Sequence, residues 1–304
     1  MALPDFIVIG AGRSGTTSLH HCLKQHPDIF MCPHKSPNYF VSHEKQPARE
    51  NARVRAMARQ WVSDRGEYEN LFDGARGEKV RGEVSPVYLQ AESAPAAIHE
   101  ACPEAKLIAV LRNPIDRAYA HFLGRRRDGL EPRADFRAVV ATELSAPLPD
   151  DVAFGSYLGC GRYHHFLRGY YERFPHERIR VFLFDDLRRD LPGLMREIYA
   201  FLDVDAGFSP DTTYRHNRTG VIENPVARFV WTRTAPIRTL LRPLWPEFVR
   251  DGVHPLKAVS LVKPELDPAI RADLIDVFRE DVIRLQNLIG RDLAHWLQDT
   301  PVAR

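Results

Sequence analysis

The sequence predicts a single α/β domain in three layers, a central parallel β-sheet flanked by helices on both faces. Three observations point there. Short apolar runs rich in β-branched residues alternate with segments of helical periodicity. The clearest run, KLIAVL from Lys106 to Leu111, is apolar almost throughout, as a strand buried on both faces must be. A glycine-rich turn joins the first apolar run to the first helical segment, the junction that parallel α/β sheets require. The 304 residues, 44% of them hydrophobic, supply a large core near the upper size of one domain.

The elements follow in order. Asp5 to Ile9, DFIVI, reads as the first strand. Thr16 to Gln25 reads as a helix, with Leu19, Cys22 and Leu23 on one apolar face, and His26-Pro27-Asp28 stops it. Ile29 to Met31 is a second strand. Residues 44 to 78 are charged and irregular, with a helix expected over Ala48 to Asp64. Val80 to Val84 is a weaker strand, followed by Ser85-Pro86. Lys106 to Leu111 stops at Arg112-Asn113-Pro114, and Ile115 to Leu123 is helical. Tyr163 to Phe174 is a further helix and Arg178 to Phe184 a strand. The last helix is the best marked. Asp267 caps it, Pro268 suits its first turn, and Gly290 ends it; Ile270, Leu274, Val277, Phe278, Leu285 and Leu288 form its apolar stripe. Residues 221–264, rich in Pro and Arg, read as a partly helical excursion from one domain spanning 1–304.

Charge and composition exclude several classes. A net charge of +2, from 42 basic and 40 acidic residues, gives no global basic excess for nucleic acid. No apolar run approaches the roughly 20 residues that cross a bilayer. MALPDFIVIG lacks the basic start and cleavage site of a signal peptide, so a soluble, cytoplasmic protein is expected. Cys22, Cys32, Cys102 and Cys160 are spread too widely for a zinc site and read as buried, idle thiols.

The turn Gly10-Ala11-Gly12-Arg13-Ser14-Gly15-Thr16-Thr17 lies between strand and helix, where backbone N–H groups and the helix dipole cradle an anion. Two nucleotide patterns nearly fit. Gly10, Gly12 and Gly15 match GxGxxG, but the second strand ends on Pro33 and His34 rather than on an acidic residue. Gly10 and Gly15 also match the outer glycines of GxxxxGK[ST], but Thr16 stands at the lysine position. What remains is a P-loop-like cradle whose cation is Arg13. That arrangement suits sulfuryl transfer, in which a cation near the bridging oxygen stabilises charge on the departing 5′-phosphate. Gly15, Thr16 and Thr17 would supply N–H and hydroxyl donors to that phosphate. No metal is required.

The stretch FIVIGAGRSGTTSLHHCLKQHPDIFM resembles the 5′-phosphosulfate loop of sulfotransferases, closest to bacterial relatives of heparan sulfate N- and O-sulfotransferases. KLIAVLRNPIDRAYAHF resembles the family's 3′-phosphate motif, with Arg112 at the carboxyl end of a buried strand, where an arginine fork suits a phosphate. RHNRTG, Arg215 to Gly220, resembles the late loop that closes on the 3′-phosphate and adenine. GRYHHFLRGYYERFPHERIRVFLFDDL and LDPAIRADLIDVFREDVIRLQNLIGRDLAHW extend the likeness over nearly the whole chain. The resemblance implies 3′-phosphoadenosine 5′-phosphosulfate as donor, no metal, and an unidentified small-molecule or glycan acceptor. It assigns donor contacts to Gly12, Arg13, Ser14, Gly15, Thr16, Thr17, Ser18, Arg112, Arg218, Thr219 and Gly220. Arg117 reads equally as a ligand contact or a helix-surface ion pair.

The chain departs from the family pattern at three positions. Ser36 stands where many relatives carry the glutamate base of K-E-P-x-x-F, Val84 replaces the lysine of G-E-K-S-P-x-Y, and Ala120 replaces a serine of the 3′-phosphate motif. Two residues are candidates for the missing base. Glu83 has a carboxyl whose pKa burial would raise; His34 titrates near neutrality as histidines do. A third possibility is an acceptor nucleophilic enough to need no base. Arg125, Arg126 and Arg127, and Arg233, Arg238 and Arg242 in the excursion, would suit an acidic acceptor, although such runs usually form a solvated face. Trp231 and Trp245 are equally a cover for an apolar or sugar acceptor and packing residues. A nucleotide kinase or NTPase, or a nucleotide-binding module without turnover, are the alternatives.

Overall fold

The computed structural model describes residues 3–41, 61–145, 156–212, 220–222 and 261–299. Five parallel strands form the sheet: β1 (Phe6–Gly10), β2 (Ile29–Met31), β3 (Val80–Val84), β4 (Lys106–Leu111) and β5 (Ile179–Leu183), in the spatial order β2-β3-β1-β4-β5. Alternation along the central strands sends their side chains into two separate cores. Ile7 and Ile9 of β1 and Leu107, Ala109 and Leu111 of β4 enter one; Phe6, Val8, Ile108 and Val110 enter the other. Both faces are therefore covered, as a parallel sheet requires.

The helices follow from the same burial. α1 (Thr16–Lys24) places Leu19, Cys22 and Leu23 on the second core. α2 (Arg65–Asn70) starts at Asp64, whose carboxylate accepts from the Glu67 N–H. The helix expected over Ala48 to Asp64 lies outside the described residues as far as residue 60; residues 61–64 are not helical, because Asp64 is spent as this cap. α3 (Ala94–Ala101) precedes β4, and α4 (Pro114–Arg127) follows it. α4 starts on Pro114 and runs to Arg127, one residue earlier and four later than the apolar pattern predicted. Its start is set by Asn113, whose Oδ1 accepts from the N–H groups of Ile115 and Asp116.

α5 (Phe136–Leu144) and α6 (Tyr163–Tyr171) lie on the first core. α6 ends three residues short of the expected Phe174, ahead of Pro175. α7 (Phe184–Arg189) and α8 (Leu191–Phe201) follow β5, and Leu194, Met195, Ile198 and Tyr199 of α8 close the second core. β6 (Val221–Ile222) pairs antiparallel with β7 (Leu261–Val262), so the two ends of the expected excursion meet; residues 223–260 lie outside the described residues. α9 (Pro268–Ile289) keeps its predicted bounds, with the Asp267 carboxylate accepting from the Ala269 N–H and Gly290 at φ 62°. All four cysteines are buried and none is in a disulfide. Among the described residues, no helix is long and apolar enough to cross a membrane.

β1 and β4 are neighbours, yet the chain leaves β1 toward β2 on one side and reaches β4 from β3 on the other. The crevice at the carboxyl ends of these two strands is the place where doubly wound sheets bind ligands.

Candidate functional site

Two loops meet at that crevice. The first, residues 11–15, is pinned to β4 by the Ala11 N–H, which donates to the Val110 carbonyl at 2.9 Å. Arg13 has φ 70° and Gly15 φ 89°, so the chain turns sharply into α1. Gly15 has two reasons to lack a side chain. Its backbone is left-handed, and a Cβ there would sit 3.0 Å from Leu187 and 3.3 Å from Phe184 on α7. A Cβ on Gly12, by contrast, would meet nothing within 4 Å among the described residues.

No side chain caps the first turn of α1. Its N–H groups and the positive end of the helix dipole face the loop, where Thr17 and Ser18 are half-buried and Thr16 is buried. The Ser14 hydroxyl is fully buried and has no hydrogen-bond partner among the described residues. The uncapped first turn of this nine-residue helix and the Ser14 hydroxyl are hydrogen-bond donors of the kind an anion takes.

Arg112 brings the second loop to the first. It leaves β4 at its carboxyl end with only 8% of its surface exposed. Its Nη1 donates to the Arg13 carbonyl at 3.2 Å, its guanidinium lies 4.8 Å over the Phe184 ring, and its own carbonyl accepts from the Tyr163 hydroxyl at 2.9 Å. Burial lowers its pKa, but a guanidinium remains charged at neutral pH. Arg13 is half-buried, and its guanidinium lies against Gly124 on α4. Burial first, and then the charge of Arg127, push Arg13 down to about 10, with Asp128 opposing and Arg117 and Arg125 adding to the effect.

The remaining donor-site residues divide sharply. Gly220 is buried at the start of β6, which packs against α4. Arg218 and Thr219 lie outside the described residues, as do Arg215, Arg233, Arg238, Arg242, Trp231 and Trp245. Ala120 is buried and offers no hydroxyl. Arg117 is not the helix-surface ion pair that its sequence context offered. It is 2% exposed and donates through Nη2 to the Tyr157 carbonyl, so it ties α4 to the segment ahead of α6. The arginines that end α4 are not a solvated face either. Arg127 is buried beside Asp128, Arg125 lies 6.0 Å over the Tyr157 ring, and Arg126 lies 5.8 Å over Phe122.

Glu83 is enclosed by its own neighbours. Burial pushes its carboxyl up to about 7, as a base would need, against three hydrogen bonds that hold it down. Its surface is, however, 0% exposed. Oε1 accepts from the hydroxyls of Tyr68 at 2.6 Å and Tyr88 at 3.1 Å, and Oε2 accepts from Ser85 at 2.7 Å. Those three donors are themselves fully buried. The partners of Glu83 hold the segment after β2: the Asn38 N–H donates to Ser85 Oγ, and the Phe40 N–H donates to the Tyr88 hydroxyl. Tyr39 stacks on Tyr68 with centroids 4.4 Å apart.

Ser36, at φ 64°, donates through both its N–H and its hydroxyl to the Val84 carbonyl. The two positions where the family's glutamate and lysine are missing are therefore in contact. His34 is half-buried in the same segment, and its carbonyl accepts from the Cys32 thiol.

Sequence reasoning missed Gly124, Phe184 and Tyr68. None belongs to a motif; each reaches the site from a distant element. Ser85 and Tyr88 stood inside a motif already singled out, and only their bonds to Glu83 reveal what they do.

The sequence pattern of the sulfotransferase family matches residues 4–210. The bifunctional heparan sulfate N-deacetylase/N-sulfotransferase 3 of Homo sapiens is 29% identical over 304 residues, covering 97% of this chain and 31% of that protein. The corresponding bifunctional enzyme of Drosophila melanogaster is 26% identical over 212 residues, covering 67% of this chain and 20% of its own length. The chain thus spans about a third or less of these curated relatives. A crystal structure of a sulfotransferase from Alicyclobacillus acidocaldarius superposes with a TM-score of 0.74 at 30% identity, covering 98% of this chain and 100% of that one.

Proposed function

The chain belongs to the sulfotransferase family, and on that premise we propose that it transfers a sulfuryl group from 3′-phosphoadenosine 5′-phosphosulfate to a hydroxyl or amine acceptor. One observation carries the reading: the hydrogen bond from Arg112 to the Arg13 carbonyl joins the loop at the N-terminus of α1 to a second, buried cation. A donor with phosphates at both ends of a nucleoside needs two such anchors held at a fixed separation.

The first turn of α1 and the Ser14 hydroxyl receive the 5′-phosphate, and Arg112 receives the 3′-phosphate. Arg13 stabilises the charge that forms on the 5′-phosphate as its bond to sulfur breaks. The acceptor oxygen or nitrogen bonds to sulfur and gives up its proton. With Glu83 enclosed, His34 is the better-placed protein group to take that proton, unless the acceptor's own nucleophilicity suffices. Residues 1–304 form one domain in this reading. The excursion at 221–264 lies near the acceptor, supported by the pairing of its two ends and the packing of β6 on α4. The names of the relatives bring a glycan with a free amine into the acceptor class to be tested. The NTPase alternative is weaker, because Thr16 leaves the first turn without the lysine that a β- or γ-phosphate requires.

The test is a panel of phenols, amines, sugars and glycan oligosaccharides incubated with labelled donor and read by mass spectrometry. A sulfated product together with adenosine 3′,5′-bisphosphate supports the reading; donor binding with no transfer to any class of acceptor refutes turnover.

A further inference from the structure

We propose that Gly124 is a positioning residue for Arg13: its missing side chain is the space in which the catalytic guanidinium lies. This rests on the role given to Arg13 above and adds a second residue to it.

Gly124 sits inside α4, ten residues past its first, where glycine weakens a helix relative to alanine. No turn or left-handed backbone calls for it there; its φ is not among the positive values of the chain. The contact it makes is specific. A Cβ on Gly124 would stand 2.5 Å from Arg13 Nη2, 2.6 Å from Cζ and 2.8 Å from Nη1. All three distances are inside any real carbon contact, and all three involve the same planar group. The three nearest atoms a side chain would meet are therefore the working end of Arg13.

The backbone of Arg13 is anchored at φ 70° with its carbonyl accepting from Arg112. Only the tip of the side chain yields, and it yields at small cost to the fold. A side chain at 124 therefore moves the guanidinium out of its seat and leaves the donor cradle intact. An arginine at 13 and a glycine at 124 are in this sense one device.

The experiment compares Gly124→Ala, Arg13→Lys and the double variant. Alanine is the better helix former, so Gly124→Ala should keep or raise the melting temperature and keep the affinity for adenosine 3′,5′-bisphosphate. Its kcat should fall tenfold or more, with the acceptor that the wild type turns over. A lysine ends in one atom where arginine carries a plane of three nitrogens. Adding Arg13→Lys should therefore recover rate in the Gly124→Ala background, a coupling opposite to two independent losses. Crystal structures of wild type and Gly124→Ala with adenosine 3′,5′-bisphosphate read the displacement directly. An unmoved guanidinium overturns the proposal, as does a wild-type kcat in Gly124→Ala or simple additivity in the double variant. A wild type without transfer would instead refute the functional reading, and the crystallographic comparison would still decide whether Gly124 seats Arg13.

Discussion

Replacing Glu83 by glutamine should remove a pH dependence from the stability of this domain. The carboxyl moves from an ordinary 4.5 to about 7 because it is buried, despite three hydroxyl donors. In the unfolded chain it ionises near pH 4.5; in the folded protein it holds its proton until about pH 7. Between those values the unfolded state has lost a proton that the folded state keeps, so stability falls as pH rises through this window. It is highest below pH 4.5 and levels off above pH 7, as far as this one group is concerned. A shift of about 2.5 units corresponds to about 3 kcal/mol, of which about 2.5 kcal/mol is lost between pH 5 and pH 8. Glutamine keeps an oxygen for Tyr68 and Tyr88 and never ionises. The assay is urea unfolding of both proteins at several pH values from 5 to 8. The free energy of Glu83→Gln relative to wild type should become more favourable by about 2–3 kcal/mol across that range. A flat difference would mean that Glu83 titrates as it does in water. The enclosure described here would then be wrong, and Glu83 would again be open to an acceptor.

Adenosine 3′,5′-bisphosphate should raise the melting temperature more than AMP or ATP, because it fills both anchors; Arg112→Ala should abolish that preference, and equal shifts in the wild type would refute the second anchor. Arg13→Ala should lower the transfer rate by about 10² or more while donor affinity changes less, and an unchanged rate would remove Arg13 from the chemistry. The wild-type rate should rise with pH through one apparent pKa, and His34→Asn should remove that limb at a cost of about 10²–10⁴-fold. If His34→Asn leaves both rate and profile intact, the acceptor supplies its own nucleophilicity, which points to an amine or an acidic phenol.

Local information was enough for the frame of the donor site. The β1–loop–α1 junction, the strand ending on Arg112, and α9 between Asp267 and Gly290 are each set by neighbouring residues: a glycine where φ is positive, a capping side chain, an unbroken apolar run. Those are short-range causes, and a sequence displays them. α7 and α8 escaped notice because Pro192 and Gly193 interrupt the pattern at the start of α8, whose helical face is decided by its seat on Phe182 and Cys22.

The roles of charged residues were decided elsewhere. A glutamate in a strand motif looks the same whether its oxygens meet solvent or three hydroxyls; only the arrival of Tyr68, fifteen residues upstream, and of Tyr88 encloses Glu83. A run of three arginines at a helix end looks solvated until Tyr157, from a distant segment, comes beneath Arg125. Gly124 looks like a flaw in a helix until Arg13, 111 residues away in sequence, fills its space. The sequence by itself determined the strand order's raw material, the anion cradle and the cation beside it, because backbone conformation and hydrophobic period are local. Tertiary structure alone decided which charges are enclosed and which remain available to a substrate, because desolvation and steric exclusion depend on atoms that the chain brings together only by folding.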